Sequence, residues 1–227
     1  SPSPSPSPSP SPSPSPSPSS SPSPSPSPCD GVGFALDDTS IRTAVDLWLA
    51  DKDEAVETYD EIDTWCTADV TDMSRLFFRK TSFNENIDNW DVSAVTDMSG
   101  LFNDAQTFDQ GIGDWDVSSV TDMHKMFSYA NNFNQDIGIW DVSAVKNMHK
   151  MFDYAEAFNQ DIGEWDTAAV TDMSKLFYEA HEFNKNIGDW TVSAVKSMNA
   201  MFYGTQAFNK NIGDWNVSAV TDMNGMF

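Results

Sequence analysis

Beyond residue 28 this chain contains no proline: all 13 prolines of its 227 residues lie in residues 1–28, which hold only Ser and Pro. Two physically different segments are therefore joined. Basic residues are scarce as well. Twelve Lys and Arg stand against 35 Asp and Glu, and the formal net charge of -23 falls on residues 29–227, because the tail has no ionisable side chains. Such a surface repels polyanions, which argues against nucleic acid and anionic membranes as partners and favours cations. No apolar run approaches the roughly 18–20 residues that span a bilayer, so no membrane span is expected. Cysteine is limited to Cys29 and Cys66. Two cysteines do not make a zinc site, which wants four convergent Cys or His ligands; they fit one disulfide, and free thiols are the alternative. Also missing are a Ser-His-Asp set, a P-loop and an HExxH pattern. No enzyme activity and no cofactor are expected.

What is present begins with the tail. Ser-Pro dipeptides run through residues 1–18 and resume at 21–28. Proline fixes φ near -65° and drives the residue before it to extended conformations, so an extended polyproline II spacer is expected over 1–28. Such a stretch is either a disordered linker or a rod sheathed in sugars, since Ser- and Pro-rich stalks carry O-glycans. The candidate carriers include Ser1, Pro2, Ser3, Pro4, Ser5, Pro6, Ser7, Pro8, Ser9 and Pro10 at one end and Ser25, Pro26, Ser27 and Pro28 at the other. Alternating Ser-Pro resembles the hydroxyproline-rich wall glycoproteins of plants and algae. That resemblance implies covalently attached glycans.

Residues 65–227 repeat. Tryptophans stand at 65, 90, 115, 140, 165, 190 and 215, a constant step of 25. Files of valine (Val70 to Val220), methionine (Met73 to Met223) and phenylalanine (Phe77 to Phe227, Phe83 to Phe208) keep the same step. This regularity predicts a solenoid of about six and a half coils, in which each coil buries its apolar face on its neighbours. Within a coil the spacing predicts a short parallel strand at "WDV" and about one helical turn at "SGLFNDA" or "HKMFSYA". Gly113, Gly138, Gly163, Gly188 and Gly213 mark a bend where the backbone needs freedom or close approach.

Residues 29–64 break the pattern. Asp38, Thr39 or Ser40 can cap a helix whose apolar face is Ile41, Ala44, Val45, Trp48 and Leu49, and that helix is expected to cover the end of the stack. A disulfide between Cys29 and Cys66 would tie the cap to the first coil, typically stabilising by about 2–4 kcal/mol. At the other end the sequence stops on Met226 and Phe227 in mid-coil. Either the chain continues, or these residues form an assembly end that meets another copy and builds a head-to-tail polymer.

The stretch "IRTAVDLWLADKDEAVETYDEIDTWCTADVTDMSRLF", followed by the recurring "FNQDIG" and "WDVS" blocks, resembles the BspA-like leucine-rich-repeat surface proteins, in their subgroup with 25-residue repeats. The resemblance covers residues 41–227. It implies an extracellular or surface-attached module, with adhesion as its usual assignment and no catalytic residues. Cys66, Thr191 and Asn216 depart from the Asp that usually follows the tryptophan.

Other residues admit a chemical and a structural reading. Two rows of aspartate, Asp91 to Asp166 and Asp97 to Asp222, can gather calcium or accept turn N–H groups, and the second is favoured. Met123 with Met126 and Met148 with Met151 can bind cuprous ion or pack in the core, again with packing favoured. His124 and His149 are expected to face solvent. Asn216 opens the one N-glycosylation sequon, "NVS". The sequence thus points to an extracellular structural protein of a cell-surface layer or fibre. The alternative is an adhesin that binds a host, matrix or glycan ligand through one face.

Overall fold

The computed structural model describes residues 34–227; the Ser-Pro tail, with its candidate glycan carriers, and Cys29 lie outside them. Helix α1 spans Ser40–Ala50, helix α2 spans Lys52–Tyr59, and a 3-10 turn follows at Ile62–Thr64. From Trp65 onward the chain winds in coils of 25 residues, numbered here from coil one at Trp65. Parallel bridges join Asp72 to Asp97, Asp97 to Asp122, and so on to Asp222, always one coil apart.

Neither the short strand nor the helical turn expected in each coil forms. Among the described residues the β interactions are single bridges, and the helices are confined to the cap. The hydrogen bonds explain why. In coil one the N–H groups of Met73, Arg75, Phe77 and Arg79 donate to the carbonyls of Asp97, Ser99, Leu101 and Asn103 in coil two, at 2.8–3.0 Å. The alternate residues Leu76, Phe78 and Lys80 donate three residues back, to Met73, Arg75 and Phe77. A helix would spend all of these donors within the coil. Here half go to the neighbouring coil, and the segment becomes a run of tight turns. The turns closed by Leu76 and Lys80 carry φ > 0 at their third residues, Arg75 and Arg79, as one common turn type requires, and the turn closed by Phe78 does not. Arg75, Lys125, Lys150, Lys175 and Ala200 take φ of 51° to 59°, with Gly100 at the same coil position. Left-handed backbone costs an L-residue roughly 1–2 kcal/mol, a cost the inter-coil bonds offset.

Packing follows the register. Phe77, Phe102, Phe127, Phe152, Phe177, Phe202 and Phe227 form a continuous stack with centroids 5.5–5.8 Å apart. A second stack runs from Phe83 to Phe208 at 5.9–6.0 Å. Both exceed the 4.8 Å backbone spacing of paired strands because aromatic rings stack with a lateral offset. Each tryptophan from Trp90 to Trp215 is buried and donates its indole N–H to the carbonyl of the isoleucine 28 residues earlier, at 2.8–3.2 Å. Met123, Met126, Met148 and Met151 are fully buried in this core.

A ladder not anticipated from the sequence explains the "FNQ" block. The side-chain oxygens of Asn134, Asn159 and Asn184 accept the backbone N–H of the residue one coil on, at 2.9–3.0 Å. The glycines before the tryptophans serve close approach, with no need for positive φ: a Cβ on Gly138 would sit 2.4 Å from the carbonyl oxygen of Asp161.

The cap closes the first coil by imitating a preceding one. The Asp38 carboxylate accepts the N–H groups of Thr71 and Asp72 at 2.7 and 2.9 Å. Arg42 donates to the carbonyls of Ser74 and Asp72 at 2.8 and 3.2 Å. Asp38 therefore does not cap α1. Asp37 accepts the N–H groups of Thr39 and Ser40 instead. Ile41, Ala44, Val45 and Trp48 are buried as expected, but Leu49 is more than a third exposed, because it falls off the edge of the apolar stripe.

Candidate functional site

With the core files fixed, the coils differ at exposed positions, some of which, as at Asn89, Asp114 and Ile139, lie elsewhere and some of which form a strip along the run of turns. Three coil positions vary there. The first reads Arg75, Gly100, Lys125, Lys150, Lys175, Ala200; the second Phe78, Asn103, Ser128, Asp153, Tyr178, Tyr203; the third Arg79, Asp104, Tyr129, Tyr154, Glu179, Gly204. They lie on the run of turns just described, so the backbone holds them at coil spacing whatever the side chain. Aromatic rings pile up where they recur: Tyr129 on Tyr154 with centroids 4.6 Å apart, and Tyr178 on Tyr203 at 5.0 Å. The Arg79 guanidinium lies 4.9 Å from the Phe78 ring centre and the Lys175 ammonium 5.0 Å from that of Tyr178, both within cation–π range.

Where the sequence is bulky in coils one and three and small in coil two, the strip dips. A pocket of about 500 Å³ opens there. Phe78 and Arg79 wall it on one side and Lys125 and Tyr129 on the other, over a floor that includes Asn103 and Asp104. Beneath the far wall Asp153 is buried, 3.5 Å from the Lys150 ammonium and 3.3 Å from the Ser128 hydroxyl. Burial raises the pKa of Asp153 above the usual carboxylate value, against the opposing pull of Lys150 and Ser128. Burial also raises that of the Tyr129 hydroxyl, together with the nearby acidic Asp153.

The residues singled out from the sequence fall elsewhere. Asp91, Asp116, Asp141 and Asp166 each accept the N–H two residues ahead, at 3.0–3.1 Å. Asp97, Asp122, Asp172 and Asp222 do the same at 2.8–3.0 Å. Both rows are therefore turn acceptors. His149 is half-buried, contrary to expectation, because its ring lies between coils with Nδ1 2.7 Å from the Ser174 hydroxyl; burial depresses its pKa. His124 keeps Nδ1 3.0 Å from Asp122 and is also only part-exposed.

Cys66 is buried, bridges to Ala35 and accepts from the Leu36 N–H at 2.8 Å; it is not a free thiol. Asn216 is exposed, its side chain accepting the Ser218 N–H at 3.2 Å. Phe227 is exposed on one side and stacked on Phe202 on the other, while Met226 packs against the core.

The strip itself was missed, because a periodic reading looks for what recurs. Its signal was in the sequence all the same, as the positions where residues change from coil to coil.

A repeat protein with constant core files and variable exposed positions is the class this geometry defines. The family described as "Mycoplasma protein of unknown function, DUF285" matches residues 49–162 and again 136–227, and the chain belongs to it. This is a family of repeat surface proteins, which states the likeness to BspA-like proteins in its coarser form. The match does not reach the tail. No curated protein and no solved structure matches the chain.

Proposed function

We propose that the chain is an extracellular solenoid of the cell surface, carried on its Ser-Pro tail, whose work is recognition through one face. The observation that carries this reading is the contrast between constant core files and the strip of Arg, Lys, Phe and Tyr side chains that changes from coil to coil. In repeat proteins a rigid stack positions such side chains without loop mobility, so ordering them on binding costs little. On a chain of net charge -23, the cluster of Arg75, Arg79, Lys125, Lys150 and Lys175 is the natural contact for an anionic partner.

The test uses beads coated with the full chain and surfaces coated with matrix polysaccharides or proteins. Retention is expected, and it should be lost when Lys125, Lys150 and Lys175 are all replaced by Gly, the residue coil two already carries at this position. Beads that never bind, or that bind regardless of the replacement, would refute the reading.

A second reading is favoured by the unequal bonding between coils, in which four columns of N–H groups donate forward and two donate back: a layer or fibre of copies docked head to tail. Because Asp38 and Arg42 already occupy the first coil's edge, the contact would be made on the cap. Sedimentation velocity separates the two, with a single concentration-independent species for the recognition module and steady growth with concentration for the fibre. O-glycans on the tail and a Cys29–Cys66 bond belong to both proposals, and the intact mass before and after reduction tests them.

A further inference from the structure

We infer that the pocket between coils one and three binds an acidic sugar, a hexuronate unit of a carboxylated glycan. This deepens the recognition reading and rests on it. Three features of the lining converge. First, Arg79 from coil one and Lys125 from coil three both line the pocket, and neither makes an ion pair among the described residues. An unpaired guanidinium is suited to take a carboxylate bidentately, and a lysine in the same lining adds a point charge. Second, Phe78 and Tyr129 supply apolar surface on opposite walls. Tyr129 has one ring face against Tyr154, so its other face turns back toward coil two, where Asp104 stands in place of an aromatic. Third, the floor is polar and of mixed character. Asn103 offers an amide, and Asp104 offers a carboxylate already held by the Gln106 amide at 2.9 Å.

That last residue selects among anions. A ligand bearing only carboxylates would be repelled by Asp104, whereas one that brings hydroxyl donors beside its single acid finds an acceptor there. Together the walls and floor ask for an apolar ring face, one negative group and several hydroxyls. A hexuronate has all three. An acidic peptide, or the acidic surface of a second copy, brings charge without the hydroxyls. The volume, about 500 Å³, lies within the range of small-ligand sites. Lys150 lines the pocket with its ion-pair partner Asp153, and Lys175 continues the cation file beyond it, so a chain of such sugars fits along the strip.

Titration calorimetry of the full chain with short oligogalacturonates tests this, with their methyl esters and polyglutamate as comparisons. Saturable binding of the free acid is expected, weaker by about tenfold or more for the ester and for polyglutamate. Lys125→Gly and Tyr129→Gly should each weaken it by a similar factor, and Lys210→Ala, outside the pocket, should leave it unchanged. Glycine already occupies these positions at Gly100 and Gly204, both with φ > 0, so the variants keep a backbone the fold uses, and an unchanged melting temperature verifies this. The inference is overturned by no binding of the free acid, by equal binding of polyglutamate, or by undiminished binding in both glycine variants. Beads retained on a coated surface by a chain that ignores oligogalacturonate would sink this inference alone. Loss of retention as well would sink the recognition reading with it.

Discussion

Gly138 shows how tightly a single position can be held. Its φ is unremarkable, yet an added methyl would meet the backbone oxygen of Asp161 in the next coil at 2.4 Å. Backbone cannot step aside as a side chain can, so Gly138→Ala should destabilise by about 1–3 kcal/mol. A melting temperature equal to that of the parent would show that coils slide past each other freely. Asp153 gives a prediction in pH. Its folded pKa is raised by burial, so the folded state binds its proton more readily than the unfolded chain. The favourable contribution is complete below the unfolded carboxylate pKa and disappears as pH rises through the folded value. Asp153→Asn should therefore be at its best relative to the parent at neutral pH, and the difference should shrink in acid. Parallel melting curves across that range check the sign, and a gap that widens in acid would contradict it.

At the scale of elements, the N-terminal cap works as a substitute coil more than as a lid. Asp38 stands in for the carbonyls, and Arg42 for the N–H groups, that a preceding coil would have offered. Desolvation pushes the Asp38 pKa upward, but the N–H groups of Asp72 and Thr71 outweigh it and hold the carboxyl below its usual value. Removing those bonds by Asp38→Ala should cost about 1–2 kcal/mol near neutral pH. The loss should vanish as pH falls through the depressed folded pKa, because the parent's advantage exists only while Asp38 is ionised. Hydrogen exchange should localise the effect to coil one, and uniform loss of protection along the stack would point to a global role instead. The cap helix is legible in the sequence because Ile41, Ala44, Val45 and Trp48 follow the helical period. The coil interiors are not, since Met, Phe and Ala at helical spacing fit a run of tight turns equally well. The left-handed positions are harder still to read, with Gly100, Gly204 and Gly225 as the glycine hints among Lys, Arg, Tyr, Asp, Glu and Ala residues at positive φ. The candidate pocket depends on small residues in coil two between bulky ones in coils one and three, so it emerges only when coils are compared in register.

For the whole molecule, charge is the dominant global variable. At a net charge of -23 the folded chain works against its own repulsion, and salt screens that repulsion. Raising ionic strength from about 0.01 M to about 0.15 M shortens the screening length from roughly 30 Å to roughly 8 Å. The melting temperature should rise over that interval, and a flat or falling trend would mean that local ion pairs such as Lys52–Glu85 and Lys80–Asp46 outweigh the net field. Oligogalacturonate binding at the cationic pocket should move the other way, weakening as salt is added.

The alternating backbone bonds have an electrical consequence as well. From Met73 to Asp97, from Met98 to Asp122 and onward, each peptide accepts from the coil behind and donates to the coil ahead, and three further columns beginning at Arg75, Phe77 and Arg79 do the same. Peptide dipoles aligned in this way add, as they do along an α-helix, but here they add across the windings. Bonds that donate backward, as from Thr96 to Thr71 and from Thr107 to Thr81, offset part of this sum, and the long axis keeps a net moment with its negative pole at the first coil. There the guanidinium of Arg42 rests on two carbonyl oxygens, placed as a counter-charge to the whole column.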